Sequence, residues 1–157
     1  MYIVMIILLL FVLPVGSILA DVADAHNALA LPFLIGKWFV FWAVGVRLFL
    51  AGLRQIIQPQ FTAQTIFGIK DDASLPIVRE LGFANVASGF LGIVTIFYPG
   101  FLFASAIVGA IFYGLAGVQH MTVKGRNTHE TVAMVSDVFI FIVLVFVVFA
   151  NAMWIFI

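Results

Sequence analysis

Cysteine is missing from this 157-residue chain. Its absence excludes disulfides, thiolate zinc sites, cysteine-ligated iron–sulfur clusters and cysteine nucleophiles. Charge is the second shortage: Asp, Glu, Lys and Arg make up 9% of positions, against 65% apolar residues. A water-soluble domain needs far more charge to cover its surface, so the composition points to an integral membrane protein. The seven basic and seven acidic side chains cancel. That removes the electrostatic basis for nucleic-acid binding, and no polybasic lipid-binding tail is present. Catalytic motifs are lacking too: there is no nucleophile with its base, no phosphate-binding glycine loop and no nucleotide fingerprint. The sequence points away from an enzyme acting alone, and no cofactor is expected from it.

What the chain does have is long apolar runs. A spanning helix needs about twenty mostly apolar residues, and five stretches qualify, at about 2–20, 36–57, 79–98, 101–122 and 130–151. The opening "MYIVMIILLLFVLPVGSILA" lacks a positive n-region, so it reads as a retained first transmembrane helix, with cleavage after Ala20 as the alternative. "YPG" at 98–100 enforces a tight reversal between the third and fourth spans. Asn127 and Glu130 in "NTHE" have the spacing of a capping box that starts the fifth. Asp72 or Ser74 is placed to cap the third, with Pro76 tolerated in its first turn. Pro59 ends the second span. Beyond it Phe61, Ile66 and Phe67 alternate with Gln60, Thr62, Gln64 and Thr65, which suits either an interfacial helix over 59–69 or an ordered loop packed over the bundle.

The expected fold is a single domain over 1–157, an all-α integral membrane protein built as a compact bundle of five transmembrane helices. An odd number of spans puts the termini on opposite sides. Arg54, Lys70, Arg79, Lys124 and Arg126 then fall on the N-terminal side, and Lys37 alone on the other. The positive-inside rule makes the N-terminus cytoplasmic, with Trp38, Trp42 and Trp154 in an outer aromatic belt.

The few buried charges form a pattern. Arg47 and Arg54 are seven apart on the second span, and Glu130 and Asp137 are seven apart on the fifth. Seven residues return a helix to within about 20° of the same direction, roughly 10.5 Å further along. Because the two spans run in opposite directions, depth matches Arg47 with Asp137 and Arg54 with Glu130. Lone ionised groups at mid-span cost at least about 2.5–3.5 kcal/mol, so both pairs are expected to form. Tyr113 and His120 share a face of the fourth span, and Asn85 lies in the same half of the third. The cytoplasmic half is thus polar inside, and the outer half almost purely aliphatic and aromatic.

Small residues mark close packing. Ala106, Ala110 and Gly114 form one row on the fourth span, Ser105 and Gly109 start another, and Gly117 follows; the third span carries Gly82, Gly89 and Gly92. Such rows let backbones approach, either inside one subunit or between copies in a homo-oligomer. His120 and His129 flank the hairpin "MTVKGRNT", but no third ligand with diagnostic spacing accompanies them, so no metal site is assigned. Asp21, Asp24 and His26 read as the solvated end of the first span, or as a weak cation site.

"VRLFLAGLRQIIQPQFTAQTIFGI", "LPIVRELGFANVASGFLGI", "YGLAGVQH" and "ETVAMVSD", between Gly45 and Asp137, resemble an uncharacterised family of small bacterial inner-membrane proteins. More distantly, the glycine-punctuated helices with an early arginine resemble DoxX-like membrane proteins. That resemblance implies a membrane subunit of a quinone- or thiol-linked redox assembly, although this chain has an additional span and no cysteine. Together these readings place the chain in the bacterial inner membrane. The first functional reading is a non-enzymatic subunit or oligomeric membrane component, associated with the lipid bilayer and other membrane subunits. In it the cluster Arg47, Arg54, Asn85, Tyr113, His120, Glu130 and Asp137 locks helix register. The alternative is a conduit or binding site for protons, a small solute or a quinone, lined by Arg47, Asn85, Tyr113, His120 and Asp137. A redox subunit with a bound cofactor is a third, resting on the DoxX-like likeness.

Overall fold

The computed structural model describes residues 2–24 and 29–155, and no strand occurs among them. Five helices are long and apolar enough to cross a membrane, the make-up of a multi-pass membrane protein. They are α1 (Ile3–Ala23), α2 (Leu31–Ile57), α3 (Leu75–Val94), α4 (Leu102–Thr122) and α5 (Thr128–Ile155). They alternate in direction. The N-terminus, the 58–74 link and the 123–127 turn therefore share one end, here called the charged end.

Local chemistry sets the helix limits. Pro32 sits in the first turn of α2, where its missing N–H costs nothing, so the helix starts ahead of the expected residue 36. The third helix also starts early, at Leu75 rather than 79. Its lead-in turn is held by Asp71, not by Asp72 or Ser74: the Asp71 carboxylate accepts from Ala73 N (2.9 Å), and Ser74 Oγ donates to Asp71 O (2.7 Å). Two stretches widen to i→i+5 bonding. In α1 this occurs over Leu8–Val12, just before Pro14, whose ring would clash with a carbonyl four residues back. In α2 it occurs over Val40–Val46 and ends with Arg47 N bonded to Trp42 O.

α2 is the central helix. Leu10, Leu34, Val40, Val44, Ile140, Leu144 and Val147 bury their side chains almost completely where α1, α2 and α5 meet, and Phe11 stacks on Phe139 at 4.7 Å. On its other face α2 meets α3 backbone to backbone. A methyl group at Gly52 would lie 2.6 Å from the Gly82 carbonyl, and one at Gly92 would lie 2.5 Å from Gly45 N. Gly89 packs directly against the Phe49 backbone. Between apolar helices in lipid, van der Waals contact of this kind holds the pair together. The small residues of α4 are also used inside the protomer. Gly109 abuts Val44 and Leu144, Gly114 abuts the Phe141 ring, Gly117 abuts Val138, and Ala106 and Ala110 are buried.

At the end opposite the charged end, α1 is clipped to α2. Lys37 Nζ lies 2.7 Å from Asp21 Oδ2, which also accepts from Trp38 Nε1 (2.8 Å), while Trp42 Nε1 donates to Ser17 Oγ (3.1 Å). Asp21 is thus engaged by a lysine and an indole; His26 and the Trp154 side chain lie outside the described residues.

The charged end is tied by the 123–127 turn. Gly125 adopts φ +74°, open to glycine without strain. Arg126 Nη1 donates to the last carbonyls of α4, those of His120 (2.9 Å) and Met121 (3.0 Å). Asn127 Oδ1 caps α5 by accepting from Glu130 N (2.9 Å), and its amide donates to Thr65 O (3.1 Å) and Ile66 O (3.3 Å). One side chain therefore starts a helix and pins the 58–74 link. Asn127→Ala is expected to lower stability by about 1 kcal/mol and to raise protease cleavage between residues 58 and 74, measured by limited proteolysis in detergent. Unchanged cleavage would refute the tie.

Candidate functional site

A cavity of about 640 Å³ occupies the charged half of the bundle. α2 supplies the residues from Arg47 to Gln55 that face inward, α3 supplies Leu81 and Asn85, and α4 supplies residues between Phe112 and His120. Asp137 of α5 and Met5, Ile6 and Leu9 of α1 complete the walls. The link beyond Pro59 forms a short helix over Phe61–Ile66, also widened to i→i+5 bonding. It covers the cavity with Phe61, Thr62, Ile66 and Phe67. Thr62 and Ala63 of this short helix are buried.

The polar lining is concentrated. Arg47 Nη2 donates to Asp137 Oδ1 (2.9 Å) and to Ser136 Oγ (3.1 Å); Ser136 directs its own proton to Ala133 O (2.8 Å) and so is free to accept. The Arg47 guanidinium lies 5.0 Å from the Tyr113 ring centroid, and the Tyr113 hydroxyl donates to Ala43 O, inside the widened stretch of α2. Asn85 Nδ2 donates to Gln55 Oε1 (2.8 Å), joining α3 to α2 with an amide pair in the cavity wall.

His120 stands between two carboxylates. Its Nδ1 is 3.5 Å from Glu130 Oε1 and its Nε2 is 3.9 Å from Asp137 Oδ2, with all three side chains no more than 7% exposed. The imidazole stacks on Phe67 at 5.8 Å and 17°.

The expected Arg54–Glu130 pair does not form. Asn127 fixes the first turn of α5 so that Glu130 faces the end of α4, where His120 receives it. Arg54 instead lies over the Phe61 ring, with Cζ 3.4 Å from the ring centroid. No carboxylate among the described residues is within ion-pair distance of Arg54. Of the seven side chains grouped from the sequence, six line the cavity and Glu130 stands behind His120. Gln55 and Ser136 join the site without a motif of their own in the sequence, and Phe61 and Phe67 join it from the amphipathic stretch beyond Pro59. Gln55 was within reach of the sequence, since it follows Gly52 by one helical turn on the stripe, begun by Gly45, that meets α3. No three metal-ligating side chains converge among the described residues.

The walls reach the outside of the bundle. α3 and α4 follow one another in the chain but pack far less closely on each other than α3 does on α2 or α4 on α5. Leu81 and Asn85 of α3 and Leu115, Ala116 and Gln119 of α4 line the cavity where these two helices are loosely packed, and Leu115 and Val118 are exposed. A cavity with apolar walls and a few convergent polar groups is the usual form of a small-molecule site.

No curated protein and no solved structure matches the chain. Residues 1–156 match a family of unknown function, DUF6790. With nearly the whole sequence covered by that match, the chain belongs to the DUF6790 family.

Proposed function

We propose that this chain is a multi-pass protein of the bacterial inner membrane, with its charged end in the cytoplasm, that binds an amphipathic small molecule in the cavity. The head of that molecule carries hydrogen-bond acceptors, such as a carboxylate, a phosphate or a quinone carbonyl, and its body is apolar. One observation carries the reading. A space of about 640 Å³, within the roughly 300–1,000 Å³ of small-molecule sites, holds an arginine, Arg54, with no carboxylate at ion-pair distance among the described residues. A cluster that served only to lock helices would bring its charged groups together and leave no such volume. The loose packing of α3 on α4 supports access from the bilayer. The positive-inside rule supports the orientation, since Lys70, Arg79, Lys124 and Arg126 lie at the charged end. Self-association through the small row of α4 is not part of the proposal, because those residues pack inside the protomer. A redox assembly is not part of it either, because no lining residue is specific for a redox cofactor.

The test is native mass spectrometry of protein released from mild detergent. Wild type is expected to retain a lipid-like adduct, and Arg54→Ala to lose it about tenfold, as expected on losing a charge-assisted hydrogen bond. Equal retention by the two proteins would overturn the assignment of Arg54 as the anchor.

A further inference from the structure

The charges around the cavity balance in a particular way. With the His120 ring neutral, the two cations Arg47 and Arg54 equal in number the two carboxylates Asp137 and Glu130, although of these four described residues only Arg47 and Asp137 are in ion-pair contact. An anionic head placed at Arg54 upsets this balance by one negative charge. In apolar surroundings such an excess is costly, because neither water nor salt screens it. Something must take up a positive charge when the anion arrives.

His120 is the group placed to do so. Histidine is the side chain whose charge ordinarily changes near neutrality, and here each ring nitrogen faces a carboxylate: Nδ1 faces Glu130 at 3.5 Å and Nε2 faces Asp137 at 3.9 Å. An imidazolium donates from both nitrogens, so both acids stabilise the charged ring. α2 presents Arg47 to the same cluster through Asp137, and the turn presents Arg126 to the His120 carbonyl. The covering segment offers Phe67, α3 offers the Asn85 amide, and α1 offers only apolar side chains. Glu130 lies in the first turn of α5 at the charged end and is itself buried.

We propose that the cavity takes up a weak organic acid of amphipathic shape as its anion together with one proton, the anion at Arg54 and the proton on the His120 ring between Glu130 and Asp137. This rests on the cavity-binding reading above and narrows its ligand to an anion. The proton comes from the solution at the charged end by way of Glu130. One N–H bond forms on the ring as the O–H bond of the protonated Glu130 carboxyl breaks, and Glu130 has itself taken its proton from a hydronium ion of the solution; nothing is oxidised or reduced, and on release the anion and the proton leave together. A neutral amphiphile of the same length binds without a proton.

The test measures equilibrium binding of radiolabelled dodecanoate and dodecanol to the purified full-length chain in maltoside micelles, between about pH 6 and about pH 8, around the histidine range. One linked proton makes the wild-type affinity for dodecanoate fall about tenfold per pH unit where the free ring is neutral and the free acid ionised. Dodecanol binding is expected to be flat. A proton riding on the ligand would give the same slope, so the deciding variant is His120→Gln, in which the slope is expected to vanish. Glu130→Gln leaves the ring in place but removes one of its acids, and is expected to shift the pH dependence to lower pH. Dodecanol binding of each variant reports whether the cavity is intact. A flat wild-type profile for dodecanoate, or a slope retained in His120→Gln, overturns the proton linkage while leaving a binding cavity. Failure of wild type to bind either probe overturns the cavity reading itself.

Discussion

Asp137→Ala is expected to leave little folded protein in the membrane, and Arg47→Ala the same. The two side chains meet at 2.9 Å, and both are largely withdrawn from the surface. Removing one partner strands the other charge where it has no solvent, at a cost of about 3–5 kcal/mol. Total stability is ordinarily about 5–15 kcal/mol, so either loss takes a large share of it. The charge-swapped double variant Arg47→Asp/Asp137→Arg is expected to recover part of the loss. Recovery stays incomplete because Ser136 and the Tyr113 ring face are arranged around a cation at position 47, and a carboxylate there would meet the negative face of the ring. The measurement is the yield of monodisperse protein on size-exclusion chromatography, followed by its thermal midpoint. A single variant with wild-type yield would sink the claim that this pair organises the bundle.

A second large effect is expected at Gly89. Its α-carbon packs against the Phe49 backbone, and the neighbouring contacts Gly52–Gly82 and Gly45–Gly92 are equally bare. Backbone cannot rotate aside as a side chain can, so any added bulk must push α3 away from α2 over the whole contact. Gly89→Leu is expected to cost at least the upper part of the roughly 1–3 kcal/mol of ordinary overpacking and to break the Asn85–Gln55 amide pair further along the same contact. Gly16→Ala on α1 is the control, because nothing lies within 4 Å of a methyl group there; it is expected to be neutral. Similar thermal midpoints for the two variants would refute the backbone contact.

Parts of this were legible in the residues, for reasons that can be named. Apolar runs give the five helices because hydropathy and length are local properties. The meeting of Arg47 with Asp137 follows from depth alone, since each lies a similar distance along its helix. The segment from Arg47 to Ile57 is regular α-helix, so counting by sevens is valid there. The other pairing needed more than depth. Which cation Glu130 faces depends on where α4 ends and on the rotation imposed by the Asn127 cap, and neither can be read from spacing. The widened stretches Leu8–Val12 and Val40–Val46 were also hidden, because each adds a residue to a turn and breaks the periodicity used to find faces. The role of Gly45 and Gly52 was hidden because two glycines seven apart become a contact only against a partner helix with Gly82, Gly89 and Gly92 in register.

The loose packing of α3 on α4 gives the bundle a handedness with respect to its surroundings. The cavity lies wholly in the charged half, and its wall comes to the outer surface at Leu115 and Val118. Were the proposed ligand to arrive between these two helices, it would come from the leaflet beside them and would not pass the close-packed half that holds Leu34, Val40, Leu144 and Val147. Under the proposed function, occupancy of the site would follow the composition of the leaflet beside the charged half and be indifferent to that of the other.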